Sequence, residues 1–287
     1  MSEDNPFDMG DIEIHWCPGC GNYAILSTLK ATLQEMGLTP QDLVIISGIG
    51  QAGKTPHFLR CNYINGLHGR ALPVAMAVKA LNPELVVLAV GGDGDMYGEG
   101  GNHLIHAIRR NINVTTIVHD NFVYGLTKGQ ASPTSLQGFE TPVQTGGVKL
   151  QPFSPIAFAI SQKASFVAQA NAADREQTKA ILKAAINHDG FALVNIFQPC
   201  VVFNKLNTYK WFKEHTYSLS EDYDPTDQLA ALELVLKDSN YPLGILYKNT
   251  ARSTFEETLS VYAKGDETPV INRKRDIKKV AKRFFQS

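Results

Sequence analysis

Apolar positions along this chain come in two textures: short unbroken runs, and longer stretches with helical spacing. The runs Leu43 to Ser47, Leu85 to Val90, Val114 to Val118, Ala164 to Ala168 and Phe191 to Phe197 show almost no polar alternation. Strands of that kind are buried on both faces, as in a parallel sheet covered by helices. Between them lie helical patterns. Asn22 to Met36 repeats Ile25, Leu26, Leu29, Leu33 and Met36 and stops at Gly37. Arg70 to Leu81 is mostly apolar and ends at Asn82-Pro83. Gly101 to Arg110 and Asp174 to Asn187 complete the set. Strands alternating with helices predict an α/β fold, a mostly parallel sheet with helices on both faces. The stretch from Tyr124 to about Pro155 is rich in Gly, Pro, Thr and Gln, and its length predicts an active-site loop. From Val202 onward the pattern is more polar and less regular. This predicts a main domain over residues 1–205 and a C-terminal extension over 206–287, packed on the same domain or on a partner.

Two strand ends carry candidate chemistry. Gly92-Asp93-Gly94-Asp95 follows one apolar run, and Asp120-Asn121 follows the next. The carboxyl ends of neighbouring parallel strands are where an α/β sheet binds phosphorylated ligands. A carboxylate from Asp93 and an amide oxygen from Asn121 are hard donors that suit Mg²⁺ shared with a diphosphate. The carbonyl of Val123 would complete the protein's share. The glycines let backbone approach the diphosphate, and Gly100-Gly101 opens a helix whose N-terminus favours anionic oxygens.

Composition narrows the partners. Lys and Arg number 27 against 28 Asp and Glu, so there is no global electrostatic case for nucleic acid. No apolar run approaches the roughly 20 residues that span a bilayer. The acidic start Met1-Ser2-Glu3-Asp4-Asn5-Pro6 is unlike a signal peptide, and the expected location is cytoplasmic. Of four cysteines, Cys17 and Cys20 form a Cys-x-x-Cys, which in a reducing compartment points to a metal or redox site. Zinc and iron–sulfur both remain open on spacing alone. Gly48-x-Gly50-x-x-Gly53 has dinucleotide-site spacing, but Arg70 and Lys79 frame the region where the required acid would lie.

Five motifs then occur in order: Trp16-Cys17-Pro18-Gly19-Cys20-Gly21-Asn22, Ser47-Gly48-Ile49-Gly50, Leu67-His68-Gly69-Arg70-Ala71, Gly91-Gly92-Asp93-Gly94-Asp95, and Asp120-Asn121 through Gly129-Gln130. Together they resemble the β subunit of a 2-oxoacid:ferredoxin oxidoreductase, over about residues 10 to 210. The Gly-Asp-Gly…Asn pair resembles the thiamine-diphosphate motif. The resemblance implies a thiamine-diphosphate fold in which Asp93, Asn121 and the Val123 carbonyl hold Mg²⁺. It implies that Ile49, Gly50, Gln51, Ala52, His68, Gly92, Gly94, Asp95, Gly125 and Leu126 line the cofactor site.

The same resemblance implies one 4Fe–4S cluster on four thiolates. Cys17, Cys20 and Cys200 match three ligands. The fourth, after the Gly-Ile-Gly turn, is Gln51 here, leaving Cys61 or a different ligand for the last iron. Lys54 and Lys128 are placed to receive the distal carboxylate of a dicarboxylic 2-oxoacid. The implied reaction is coenzyme A-dependent oxidative decarboxylation, with 2-oxoglutarate the expected substrate, ferredoxin the acceptor and reversal possible. Pyruvate or broad 2-oxoacid use is the alternative, and a non-catalytic zinc-stabilised subunit the rival of another class. The glutamate that promotes ylide formation and the coenzyme A region would come from an α subunit, in an (αβ)₂ assembly. The basic tail Arg273 to Lys279 is a solvated helix or a dock for acidic ferredoxin.

Overall fold

In the computed structural model, whose described residues are 5–237, 239–274, 276–278 and 281, the apolar runs become the middle of one sheet. Its strands are β1 (Leu43–Ser47), β2 (Asn62–Asn65), β3 (Val86–Gly92), β4 (Thr115–Asp120), β5 (Phe166–Asn171), β6 (Ala192–Phe197), β7 (Thr216–Ser218) and β8 (Tyr241–Lys248). They run in the order β2-β1-β3-β4-β6-β5-β8-β7. Every pairing from β2 across to β5 is parallel.

The α-helices of seven or more residues are α1 (Gly21–Glu35), α2 (Ala71–Leu81), α3 (Gly101–Arg110), α4 (Pro155–Ser161), α5 (Arg175–Ile186), α6 (Tyr209–His215) and α7 (Gln228–Lys237). The strand pleat divides the core between them. Leu43 and Ile45 of β1, with Leu88 and Val90 of β3, pack under α1 and α5. Val44, Ile46, Val87 and Ala89 face the opposite way, toward α2, α3, α4 and α7. Both faces are covered, which is why the runs lack alternation. Truncating a fully buried member such as Ile45 to alanine would cost about 2–5 kcal/mol. No helix among the described residues is long and apolar enough to cross a membrane.

β1 and β3 are neighbours, but the chain leaves β1 outward to β2 and leaves β3 the other way to β4. Connections that part in this manner open a crevice at the carboxyl edge, where ligands bind.

Three features depart from the expected pattern. β5 starts at Phe166 and continues to Asn171, because Gln169 is buried with a partner, its Nε2 donating to the Pro242 carbonyl at 2.9 Å. β2 is an edge strand of exposed residues, so it left no apolar signature. The C-terminal stretch supplies β8, antiparallel to β5. Its apolar run is broken by Pro242 and Gly244, which hid the strand. Asn111 ties this stretch down further: it adopts a left-handed conformation at φ 55° after α3, and its Nδ2 donates to the Ser253 carbonyl at 3.1 Å. Met1 to Asp4 at the acidic start, and Arg275 and Lys279 in the basic tail, lie outside the described residues.

Candidate active site

One cleft opens where the loops after β1, β3, β4 and β6 meet the N-terminal end of α1. It is lined by Ile49, Gly50, Gln51, Ala52, His68, Gly92, Asp93, Gly94, Asp95, Asn121, Val123, Gly125 and Leu126, with Cys17, Cys20 and Cys200 on the same wall. The strand order brings these distant segments together, since all four strands end on one edge.

Asp95 fastens the loops to each other. Its Oδ1 accepts the Ile49 N–H at 3.0 Å and the Gly69 N–H at 2.8 Å, joining the turns after β1 and β2. His68 Nδ1 lies 3.1 Å from the same oxygen and 3.3 Å from Glu99 Oε2. Burial raises the Asp95 pKa above the usual carboxylate range, against the two backbone donors. The turns need glycine for room. A Cβ at Gly48 would stand 1.9 Å from Asp95 Oδ2. Gly69, at φ 69°, lies against the Glu99 backbone, where a Cβ would stand 2.4 Å away.

Asp93 sits deeper, only 2% exposed. Burial pushes its carboxyl up to about 6, although the Ser132 and Thr134 hydroxyls favour the charged form. Thr134 Oγ1 lies 2.9 Å from Asp93 Oδ2 and 2.9 Å from Asp120 Oδ1. One hydroxyl proton serves only one carboxylate at a time. Burial, then the proximity of Asp93, holds the Asp120 carboxyl well above the carboxylate range. Asp120 does not line the cleft; Asn195 Nδ2 and the Phe122 N–H donate to it from the core side. Asn121 Oδ1 accepts the Val123 N–H at 3.1 Å, which holds the amide and the Val123 backbone in one turn.

Three polar atoms in the cleft wall are buried and have no hydrogen-bond partner: Gln51 Oε1, Asp95 Oδ2 and His119 Nε2. Buried polar groups are nearly always paired, so these mark a surface shaped for a ligand. Oxygen donors from Asp93, Asn121 and Val123 beside glycine turns fit Mg²⁺ and a diphosphate. The unpaired carboxylate oxygen of Asp95 and imidazole nitrogen of His119 suit the N–H groups of a ring.

The thiol wall is soft where the metal end is hard. Burial, with Cys200 and Cys17 nearby, pushes the Cys20 thiol up to about 11. Its Sγ lies 3.9 Å from Gln198 Oε1, and the Phe203 N–H donates to Cys200 Sγ at 3.4 Å. Among the described residues no three His, Cys, Asp or Glu side chains already converge as a closed metal cage. Three thiols around one wall supply three of the four thiolates that an iron–sulfur cluster takes.

Three expected residues stand apart. Cys61 does not line the cleft; it is half-buried among apolar residues of the α1 side of the core. Lys54, in a 3-10 turn over Ala52–Phe58, and Lys128, exposed at φ 76°, are each within two residues of a lining position but do not line the cleft themselves. Conversely, Trp16, Asn22, His119, Tyr124, Thr127, Gln198 and Phe203 line it and were not anticipated. His119 lies at the end of β4 and Asn22 at the start of α1, the two ends that open on the cleft.

Comparison with known proteins places this geometry. Residues 48–196 match the C-terminal thiamine pyrophosphate-binding domain of thiamine pyrophosphate enzymes. Residues 200–264 match the C-terminal region of the pyruvate ferredoxin oxidoreductase beta subunit. The chain is 42% identical over 261 residues to the 2-oxoacid:ferredoxin oxidoreductase subunit beta of Saccharolobus solfataricus, covering 85% of each. It is 46% identical over 194 residues to the 2-oxoglutarate oxidoreductase subunit KorB of Mycobacterium tuberculosis, covering 68% of this chain and 52% of that one. Among solved structures, a 2-oxoglutarate:ferredoxin oxidoreductase from Magnetococcus marinus, with 2-oxoglutarate, coenzyme A and succinyl-CoA bound, superposes with a TM-score of 0.89 at 33% identity, over 98% of this chain and 96% of that one.

Proposed function

Because this chain belongs to the β subunits of the 2-oxoacid:ferredoxin oxidoreductases, we propose that with its α partner it converts 2-oxoglutarate and coenzyme A to succinyl-CoA and CO₂, passing electrons to ferredoxin. The observation that carries this reading is the convergence of Asp93, Asn121 and Val123 with three cysteines on one cleft. In this reading Asp93, Asn121 and the Val123 carbonyl hold Mg²⁺, and the turns at Gly92 and Gly94 admit the diphosphate. Thiamine diphosphate, when bound, supplies a carbanionic carbon that adds to the keto group and then serves as an electron sink.

The chain's own residues prepare that chemistry. Asp95 Oδ2 and His119 Nε2 accept N–H groups of the ring system. Ile49 and Leu126 give the cleft apolar walls that exclude water. Cys17, Cys20 and Cys200 would hold an iron–sulfur cluster, which would supply one-electron acceptance when bound. His68, beside Asp95 and Glu99, faces the reacting groups. Lys54 and Lys128 attract the distal carboxylate of the substrate from just beyond the cleft wall. The (αβ)₂ assembly and cytoplasmic location belong to the same proposal.

The test is anaerobic co-purification with the α subunit and assay of low-potential dye reduction. Coenzyme A-dependent reduction with 2-oxoglutarate well above that with pyruvate is expected. Equal or greater turnover of pyruvate would overturn the substrate assignment. No turnover of either, with no bound thiamine diphosphate, would overturn the whole reading.

A further inference from the structure

We infer that Gln51, not Cys61, occupies the fourth corner of the iron–sulfur cluster, leaving one iron without a thiolate. The inference rests on the cluster-bearing reading above and concerns which side chains surround it. Cys17, Cys20 and Cys200 share a wall of the cleft with Gln51. The indole Nε1 of Trp16, next to Cys17, donates to the Gln51 carbonyl at 2.9 Å, which fixes the turn after β1 against the first cysteine. Gln51 Oε1 is buried and unpartnered. The other amide there, Gln198, already has Cys20 beside its Oε1.

Cys61 has a different environment. It lies beyond the 3-10 turn, just before β2, with the neighbouring Arg60 N–H bound to the Phe7 carbonyl at 2.8 Å. It packs on the apolar core beside α1. It does not line the cleft that Cys17, Cys20, Cys200 and Gln51 share.

A carboxamide oxygen is a neutral, harder donor than a thiolate and holds iron less firmly. One-electron oxidation of the cluster by ferricyanide would therefore release that iron as Fe²⁺. The electron goes to ferricyanide, and a three-iron cluster remains on the three cysteines. The test uses the αβ complex, with iron and acid-labile sulfide counts and electron paramagnetic resonance before and after ferricyanide. Wild type is expected to lose about one iron in four and to give a three-iron signal. Cys61→Ser and Cys61→Val should keep the starting iron and sulfide content and behave the same way. Gln51→Cys should retain all its iron through oxidation. Loss of cluster from a folded Cys61→Ser or Cys61→Val protein, or wild-type resistance to oxidation equal to that of Gln51→Cys, overturns the inference. Wild type without iron or sulfide overturns the cluster-bearing reading itself.

Discussion

His119 Nδ1 lies 2.8 Å from the side-chain oxygen of Asn22. An amide oxygen only accepts, so Nδ1 carries the proton and Nε2 is left as an unpartnered acceptor in the cleft. Replacing Asn22 by leucine would strand the buried Nδ1–H. We expect about 1–3 kcal/mol of lost stability by urea unfolding, together with weaker thiamine-diphosphate binding by calorimetry. Unchanged values of both would contradict this pairing.

Burial lowers the His119 pKa from 6.5 to about 3. The unfolded chain takes up a proton across that interval and the folded chain does not. The stability linked to neutral His119 is thus present above pH 6.5 and lost as pH falls toward 3. At 1.36 kcal/mol per pH unit the loss is on the order of 5 kcal/mol. His119→Phe should flatten this acid limb in pH-dependent thermal melts.

Asp93 acts in the opposite sense. Burial raises its pKa from 3.8 to about 6, so the folded chain holds the extra proton between those values. Apo stability linked to this group is present below pH 3.8 and lost as pH rises through 6, by on the order of 3 kcal/mol. In the overlap it offsets part of the His119 effect. Asp93→Asn should remove this term and raise the apo melting temperature at pH 7. The same variant should lose Mg²⁺-dependent thiamine-diphosphate binding by at least a hundredfold.

Gly94 has no room for a side chain. A Cβ there would stand 2.1 Å from the Tyr124 ring, whose hydroxyl is bound to Glu99 Oε2 at 3.0 Å and to the Gly94 carbonyl at 3.3 Å. Gly94→Ala should displace Tyr124 from the cleft wall, cost about 1–3 kcal/mol of stability and weaken cofactor binding more than tenfold. Tyr124→Ala in the Gly94→Ala background should recover most of the stability; a double variant as unstable as the sum of both changes would locate the clash elsewhere.

Lys54 and Lys128 lie outside the lining, and the proposed pull on the substrate's distal carboxylate can be tested at Lys54. Lys54→Ile should raise KM for 2-oxoglutarate by roughly tenfold, an effect of about 1.4 kcal/mol. KM for pyruvate should move less than twofold. Parallel increases for both substrates would remove Lys54 from substrate recognition.

The sheet's central strands and the cleft's glycine and aspartate positions were legible in the sequence, because burial on both faces and the need for close backbone approach leave sharp local marks. Val123 followed from its place after Asn121, and Gly125 from the family resemblance. What stayed hidden is long-range. His119 meets Asn22 across 97 residues, and Thr134 reaches Asp93 from a loop with no periodicity. β8 is assembled by pairing with β5, not by its own composition. Cys61 shows what composition leaves out: it offers a fourth thiol, while the fold packs that residue among apolar side chains beside α1 and not in the cleft lining.

Loops after β1, β3, β4 and β6 reach the cleft only once the intervening crossovers are wound, so ligand affinity is a property of the whole sheet. A ligand that binds only the finished edge adds its binding free energy to the fold as a unit. Nascent or damaged chains with one strand out of register would fail to retain the cofactor. Cofactor retention thus doubles as a quality check, distinguishing correctly wound subunits before they are committed to electron transfer.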